Sequence, residues 1–291
     1  MLRNITVGLD GSPESLAAAD WAAREAQLRD TPLRLVHAWR WQPRTHTSLT
    51  GTPIPSPLND LRRDWAERLP ARLTERHPGL RVSAEQSAEW PVAALLAASG
   101  DADLLVLGSR GLSGVTGFLA ASVALWVVAR TERPVVLVRA GEGAENDHMT
   151  GDVVLGLGLE NSDDSVIGFA FHAASRRAAN LRVVHGWKPP PSSYGYGEAF
   201  DIEPNAELGT QVRRRLADAL RPWRSKFPGI EVNEQALIGT AGSHLVDASR
   251  NAALVVIGRR NRRTPFGNHI GPVTHAVLHH VAAPVAVVPH D

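Results

Sequence analysis

Short apolar runs alternate with longer amphipathic segments along most of the chain. The run over 5–9 is apolar and ends at the turn Asp10-Gly-Ser-Pro13, which predicts a buried strand. Ser12 is a natural helix N-cap and Pro13 suits the first helical position, so a helix is predicted from there to about Arg29. The chain therefore begins with a strand, a turn and a helix.

The alternation continues through the first half. The later predicted elements are strands over 33–39, 80–86, 103–107 and 134–138, helices over 58–76, 91–99 and 122–130, and a loop over 40–57. Strands that alternate with helices predict a parallel sheet that has helices on both faces. Ligands of such sheets bind beyond the carboxyl ends of the strands, where the strand order reverses.

The second half of the chain repeats the first. The matched segments are 33–39 with 181–187, 104–110 with 254–260, and 134–138 with 284–288. Each pair lies 148 to 150 positions apart, which is the size of a domain. The segment 141–148 between the halves is polar and has no large apolar residue. We therefore predict domains over 1–140 and 151–291, joined by a linker over 141–150.

Composition narrows the function classes. The 31 basic and 30 acidic residues nearly cancel, so no global charge points to nucleic acid. Cysteine is absent, which excludes disulfides, thiol nucleophiles and thiolate metal sites. His275 and His279 stand four residues apart, but without an H-E-x-x-H pattern we expect a surface helix and no metal site. No apolar run approaches membrane-spanning length, so we expect a cytoplasmic protein without membrane contact.

Two closely spaced glycines, Gly108 and Gly111, follow the apolar run 103–107. Glycines let backbone N–H groups approach an anion closely. Ser122 then opens an Ala- and Val-rich segment, and the start of a helix offers unpaired N–H donors and the positive end of a dipole. A tight turn would explain the glycines alone, but Asp10 at the end of another predicted strand favours a shared ligand site.

These segments resemble the universal stress protein family. The resemblance rests on 7–13, on 36–39, on 133–138 and on the spacing Gly108-x2-Gly111-x9-Ala121-Ser122, and it extends over both halves as tandem copies. It implies an α/β fold of two tandem open parallel-sheet domains of Rossmann-like type, packed as a pseudo-dimer. The glycine spacing is similar to that of the family's ATP-binding subgroup, although Ala121 stands in place of the third glycine. The implied ligand is ATP, with or without Mg²⁺.

The resemblance also implies the residues of the nucleotide site. Gly8 and Asp10 lie on the ribose and adenine side, Gly108, Ser109, Arg110 and Gly111 wrap the phosphates, and Ser122 and Val123 complete the phosphate end. Arg110 either binds phosphate or is a solvated loop residue. His37 and His185 occupy equivalent positions in apolar strands, where we expect packed, hydrogen-bonded side chains rather than catalysts.

The second half has lost several of these residues. Gly158 stands where the first half has Asp10, Asn261 replaces Gly111, and Gly271-Pro272 replaces Ala121-Ser122. Proline removes an N–H donor and the hydroxyl at the helix start. We therefore predict that the second half keeps the fold but has a degenerate nucleotide site. Its arginines at 259, 260, 262 and 263 either hold an anion without nucleotide specificity or form a solvated face.

The favoured function is an ATP-binding stress-response regulator in which nucleotide occupancy is a signal. The main alternative is an ATP-independent scaffold that acts through an unknown protein partner, and a weak ATP hydrolase comes third. Catalysis has little support, because phosphoryl transfer needs metal-holding carboxylates near the phosphates and only Asp10 is a candidate. A homodimer of the whole chain is compatible with each alternative.

The last predicted strand of each half is apolar and suited to the edge of a sheet. Pairing 134–138 with 284–288 would hide the N–H and C=O groups of both edges. We therefore expect the halves to pack as a pseudo-twofold pair, which the resemblance to single-domain family members also implies. A crystal structure in which a free linker separates the halves would contradict this expectation.

The losses in the second half predict unequal ATP affinities. The second half should bind ATP about tenfold more weakly than the first, or more weakly still, because it lacks ribose and phosphate contacts. Residues 1–140 and 151–291 can be expressed separately and titrated with ATP at two salt concentrations. Any residual signal from the arginines should fall with salt. Equal affinities that do not depend on salt would contradict the prediction.

Overall fold

The structure is a computed structural model that describes residues 4–38, 68–109, 118–140, 151–161, 163–189, 202–261 and 270–291. The chain divides into two compact units, Met1–Ala144 and Glu145–Asp291. The division falls within 141–150, the segment predicted as a linker, which itself lies outside the described residues. Each unit is an α/β domain, as the sequence predicted.

The first unit is built on a parallel sheet. In chain order its elements are β1 (Asn4–Leu9), α1 (Pro13–Arg29), β2 (Leu33–Ala38), α2 (68–76), β3 (Val82–Ser87), α3 (Pro91–Ser99), β4 (Ala102–Gly108), α4 (Phe118–Arg130) and β5 (Val135–Val138). The strand order is β3-β2-β1-β4-β5, and every described pair is parallel. The chain therefore builds outward from β1 on one side and then from β4 on the other.

The second unit repeats this plan. Its elements are β6 (Asp152–Gly156), a 3-10 turn (Leu159–Asn161), α5 (Asp164–Arg177), β7 (Leu181–Trp187), α6 (Ile202–Lys226), β8 (Val232–Ile238), α7 (Ala241–Ala248), a second 3-10 turn (Ser249–Asn251), β9 (Ala252–Arg260), α8 (Pro272–His280) and β10 (Val285–His290). The strand order is β8-β7-β6-β9-β10, again with parallel pairing. The duplication seen in the sequence is therefore a duplication of the fold.

The core of each unit lies on both faces of its central strands. Val7 and Leu105 in the first unit, and Val154 and Val255 in the second, are fully buried. Parallel sheets that carry helices on both faces need such continuous apolar strands. The exposed pattern of β3 agrees with its place at an edge of the first sheet, as the alternating sequence predicted.

Helix α4 begins earlier than the sequence predicted. It starts at Phe118, four residues before Ser122. No glycine or proline lies between Gly117 and Arg130, so the apolar segment 118–121 extends the helix toward its N-terminus. The prediction that Ser122 opens the helix is therefore wrong. Ser122 lies in the second turn, beyond the open N–H donors of the first turn.

Gly108 allows a close approach between the end of β4 and the start of α1. A Cβ atom at Gly108 would lie 2.6 Å from the carbonyl carbon of Glu14 and 2.7 Å from the backbone nitrogen of Ser15. These atoms belong to the first turn of α1, whose backbone cannot move aside as a side chain can. The absent side chain at Gly108 therefore serves the packing of helix against strand.

Gly108→Ala should destabilise the protein by about 1–3 kcal/mol, because the added methyl group would overpack a backbone contact. Urea unfolding followed by circular dichroism measures this change. Gly258→Ala is the matched control, because its Cβ would meet the movable His290 ring at 2.9 Å rather than backbone. Equal losses of stability in the two variants would contradict the packing role of Gly108.

Candidate functional site

A cavity of about 300 Å³ lies at the carboxyl ends of β1 and β4. Gly8 and Asp10 line it from the end of β1, Gly108 lines it from the end of β4, and Val123 lines it from α4. The strand order reverses between β1 and β4, so the two connections that follow them leave a crevice there. The predicted convergence of Asp10 and Gly108 on one crevice is confirmed.

Asp10 is held in position by the start of α1. Its Oδ1 accepts hydrogen bonds from the backbone N–H of Ser12 at 2.9 Å and from the Ser12 hydroxyl at 2.5 Å. The Ser12 Oγ in turn accepts from the N–H of Ser15 at 3.2 Å, so Ser12 is the N-cap, as predicted. These bonds fix the carboxylate of Asp10 at the mouth of the cavity and leave α1 capped by a different residue.

Gly8 sits below the cavity in the middle of the sheet. It pairs with Val36 on one side and Leu107 on the other. A Cβ at Gly8 would lie 2.6 Å from Leu107 Cδ2 and 2.8 Å from Leu95 Cδ2. The absent side chain lets these two leucines pack over the strand and form an apolar floor.

The structure brings together four of the eight predicted site residues, Gly8, Asp10, Gly108 and Val123. The predicted role of Ser109 stays a prediction; its backbone N–H donates to the carbonyl of Val138 at 2.7 Å. That bond continues the pairing of β4 with β5, so this N–H is occupied within the sheet. Arg110 and Gly111 lie outside the described residues, as does the side chain of Ser122.

The second unit has a cavity of about 550 Å³ in the equivalent place. Its lining includes Gly156, Gly158 and Gly258 at the ends of β6 and β9. The glycine at the strand centre is repeated, since a Cβ at Gly156 would lie 2.7 Å from Leu245 Cδ1 as one at Gly8 would meet Leu95. The duplicated fold therefore keeps a crevice at its point of strand reversal.

The turn from β6 to α5 contains acidic residues that the repeat alignment missed. This turn is longer than its counterpart in the first unit, and it places Glu160 and Asp163 on the cavity wall. Asp163 is the N-cap of α5, with its Oδ1 accepting from the N–H of Ser165 at 2.7 Å. The signal in the sequence was the pattern Asp163-x-Ser165 before an apolar helix, which is typical of a helix start.

His185 is fixed by a backbone hydrogen bond. Its Nδ1 donates to the carbonyl oxygen of Leu157 at 2.8 Å, across the ends of β7 and β6. This bond assigns the proton to Nδ1 and orients the ring at the cavity wall. The expectation of a hydrogen-bonded, structural histidine at this position is met.

His275 and His279 also form a pair, with 2.9 Å between their Nε2 atoms on α8. Within the described residues, no group of three or more metal-ligating side chains comes together.

Among the helices that the structure describes, none combines the length and apolar character that a membrane crossing requires.

The Asp163 carboxyl group is expected to make a pH-dependent contribution to the free energy of unfolding. Hydrogen bonds from Ser165 lower the pKa of the Asp163 carboxyl, so the folded state favours the ionised form. The stabilisation is therefore present above the usual carboxyl pKa of about 3.9 and is lost as the pH falls through the lowered pKa. Asp163→Ala should cost about 1 kcal/mol at pH 7 and less in acid.

Urea unfolding at pH 7 and at acid pH measures this difference. Asp163→Asn is the control, because an asparagine N-cap accepts the same hydrogen bond without titrating. A cost for Asp163→Ala that is the same at both pH values would show that ionisation of the carboxylate contributes nothing.

Known proteins resemble the chain over nearly its whole length. Universal stress protein Rv2005c of Mycobacterium tuberculosis is 30% identical over 291 residues, which cover 97% of this chain and 96% of that protein. The crystal structure of a universal stress protein from Archaeoglobus fulgidus matches with a TM-score of 0.69 at 17% identity, and the match covers 100% of both chains. This likeness shows the shared fold.

A universal stress protein from Archaeoglobus fulgidus solved in complex with dAMP matches 47% of this chain and 98% of its own, with a TM-score of 0.35 and 21% identity. The model of the Universal stress protein family itself matches twice, over residues 1–139 and 149–289. The two matches reproduce the tandem repeat and leave uncovered only residues 140–148 at the junction and the last two residues of the chain. The chain belongs to the universal stress protein family, in a tandem two-domain form.

Proposed function

We propose that the first unit binds ATP in the crevice between β1 and β4, and that occupancy of this site is a regulatory signal. One observation carries the proposal. Asp10, Gly108 and Val123 come from distant parts of the sequence, yet they line a single cavity at the point of strand reversal. Parallel α/β sheets bind their ligands at this point.

The nucleoside end of the proposed site is the better supported end. Leu95 and Leu107 give the cavity an apolar floor against which a base can pack. The Asp10 carboxylate stands at the mouth with its orientation fixed by Ser12. A carboxylate has about four acceptor positions, so it can hold a ribose hydroxyl in addition to Ser12.

The phosphate end rests on the spacing of Gly108 and Gly111. Gly108 lines the cavity and also packs against α1, and the N–H of Ser109 is occupied by Val138. We therefore propose that the backbone around Gly111 makes the closest approach to the phosphates, because the sequence spacing puts a second glycine there. A cavity of about 300 Å³ is at the lower end of the range for small-molecule sites.

A signalling role fits this site better than rapid turnover. Phosphoryl transfer relies on carboxylates that hold a metal ion beside the phosphates. Asp10 lies at the proposed nucleoside end, and its hydrogen bonds to Ser12 tie it to α1. A ligand in this cavity contacts α1, β4 and α4, so it can act as a signal by binding one arrangement of these elements more tightly than another.

Two variants separate the two ends of the proposed site. Asp10→Ala should weaken ATP and AMP by a similar factor of about tenfold, because both carry the ribose. Gly111→Val should weaken ATP by about tenfold or more and AMP much less, because the added side chain blocks the approach of the outer phosphates. Titration calorimetry of the full chain with each nucleotide measures these changes.

Asp101→Asn is the control, since it changes an exposed carboxylate away from the cavity. Asp10→Ala should keep the fold, because Ser12 rather than Asp10 caps α1. Gly111→Val should keep it because the change falls in the predicted ligand loop and not in a predicted core strand or helix. Unchanged affinities in both variants, or no ATP binding by the unmodified chain, would contradict the proposal and favour an ATP-independent scaffold.

A further inference from the structure

We propose that the cavity of the second unit binds a small organic phosphate through Arg259 and Arg260, without recognition of a nucleoside. This site is separate from the first-unit crevice and does not depend on the function proposed for it. Two arginines on the wall of a cavity of about 550 Å³, one of them buried, form its cationic, anion-binding end.

The arginines are carried by a strand rather than a loop. The pairing of β4 with β5 ends at Gly108 and Val138, whereas the pairing of β9 with β10 continues to Arg260 and His290. The N–H of Asn261 then donates to the carbonyl of His290 at 2.6 Å. Residues on paired strands hold their positions more precisely than residues on loops, which suits a binding group.

The alternation of the strand places the two arginines on opposite faces of the sheet. Arg259 is two residues from Ile257 and therefore belongs to the same face of the sheet, which is the face of α7 near Leu245. Arg260 is two residues from Gly258 and belongs to the opposite face, where a Cβ at Gly258 would meet Val166 of α5. Both arginines line the cavity at the end of β9, so they reach it from its two sides.

Arg259 is only 4% exposed. Its burial lowers the pKa of the guanidinium group below the usual range, yet arginine stays charged in proteins. Arg259 therefore brings a positive charge to the wall of the cavity, where a bound anion can meet it.

The start of α8 faces the same cavity. Gly271 is the N-cap and has no side chain to bond the first turn, and Pro272 has no N–H. Val273 and Thr274 follow them on the cavity wall. Their N–H groups and the positive end of the helix dipole add to the attraction of the arginines for an anion.

The acidic residues on the wall belong to the turn before α5 and to the start of α5, whereas Arg259 lies on the face of the sheet that carries α7. Asp163 is the N-cap of α5, and its carboxylate accepts from the N–H of Ser165. Glu160 is exposed to solvent, where its charge is screened. The cationic groups are thus concentrated around Arg259 and the start of α8.

The inner part of the wall is apolar, while the rings of His185 and His290 lie elsewhere on it. Val184, Leu245 and Ile257 line the inner part of the cavity. Gly158 stands at the position of Asp10 in the repeat alignment, so the Asp10 carboxylate of the first unit has no counterpart at that place. These features match an organic phosphate that has an apolar body rather than a nucleoside.

The test uses the NMR signal of His290 to report ligand binding, because its ring lies beside Gly258 on the cavity wall. Its imidazole NMR signal in the full chain is assigned by its loss in His290→Gln. The probes are phenyl phosphate, inorganic phosphate and adenosine, each up to millimolar concentration. We expect phenyl phosphate to shift the signal most strongly, inorganic phosphate to shift it at higher concentration, and adenosine to leave it unchanged.

Arg260→Gln should raise the phenyl phosphate concentration at half-saturation by about tenfold or more, since a charged hydrogen-bond partner is lost. Arg250→Gln is the matched control, because Arg250 belongs to the same unit but is 78% exposed and paired with Asp247. Arg259→Gln should raise the half-saturation concentration as Arg260→Gln does. If Arg259→Gln does not fold because its side chain is buried, Arg260→Gln alone tests the proposal, since Arg260 is only partly buried. No shift with phenyl phosphate, an equal response in Arg260→Gln, or a shift with adenosine would overturn the proposal.

Discussion

The pairing of β1 with β2 on one side and β4 on the other determines where this protein can hold a ligand. The connection after β1 leads to β2 at one side, and the connection after β4 leads to β5 at the other side. Neither connection therefore covers the strand ends between β1 and β4. The same reversal occurs between β6 and β9 in the second unit. Both cavities lie at these reversals, and the residues that line them are those that the sheet brings there.

The two units share one fold, but their cavities are lined by different residues. In the first unit a short turn after β1 fixes Asp10 through Ser12, and β4 ends at Gly108 against α1. In the second unit the corresponding turn is longer, and β9 extends to carry Arg260. The chemistry at the strand ends has therefore diverged while the buried strands that support it have remained equivalent.

The sequence predicted the features that local patterns encode. The boundaries of α1 and α3, the Ser12 cap and the convergence of Asp10 with Gly108 follow from apolar periodicity, capping chemistry and the rules of parallel sheets. The family followed from glycine spacing and from the repeat. These inferences needed no knowledge of how side chains pack.

Features that depend on contacts between elements could not be predicted in this way. The start of α4 at Phe118 reflects a segment that has no helix breaker, so a single serine was a poor guide to the boundary. Gly108 looked like a phosphate residue, but its neighbour in space is the backbone of Glu14. The extension of β9 through Arg259 depends on its pairing with β10, in which Arg259 lies opposite Pro289. The apolar pattern within β9 alone does not reveal this partner.

The central claim is that the two units share a fold but only the first is a nucleotide site. Native mass spectrometry of the full chain in the presence of ATP tests this claim most directly, because it counts the nucleotides bound to each molecule. One bound ATP per chain is the predicted result, with the same count across a range of saturating concentrations. Two bound ATP molecules, or none, would contradict the account.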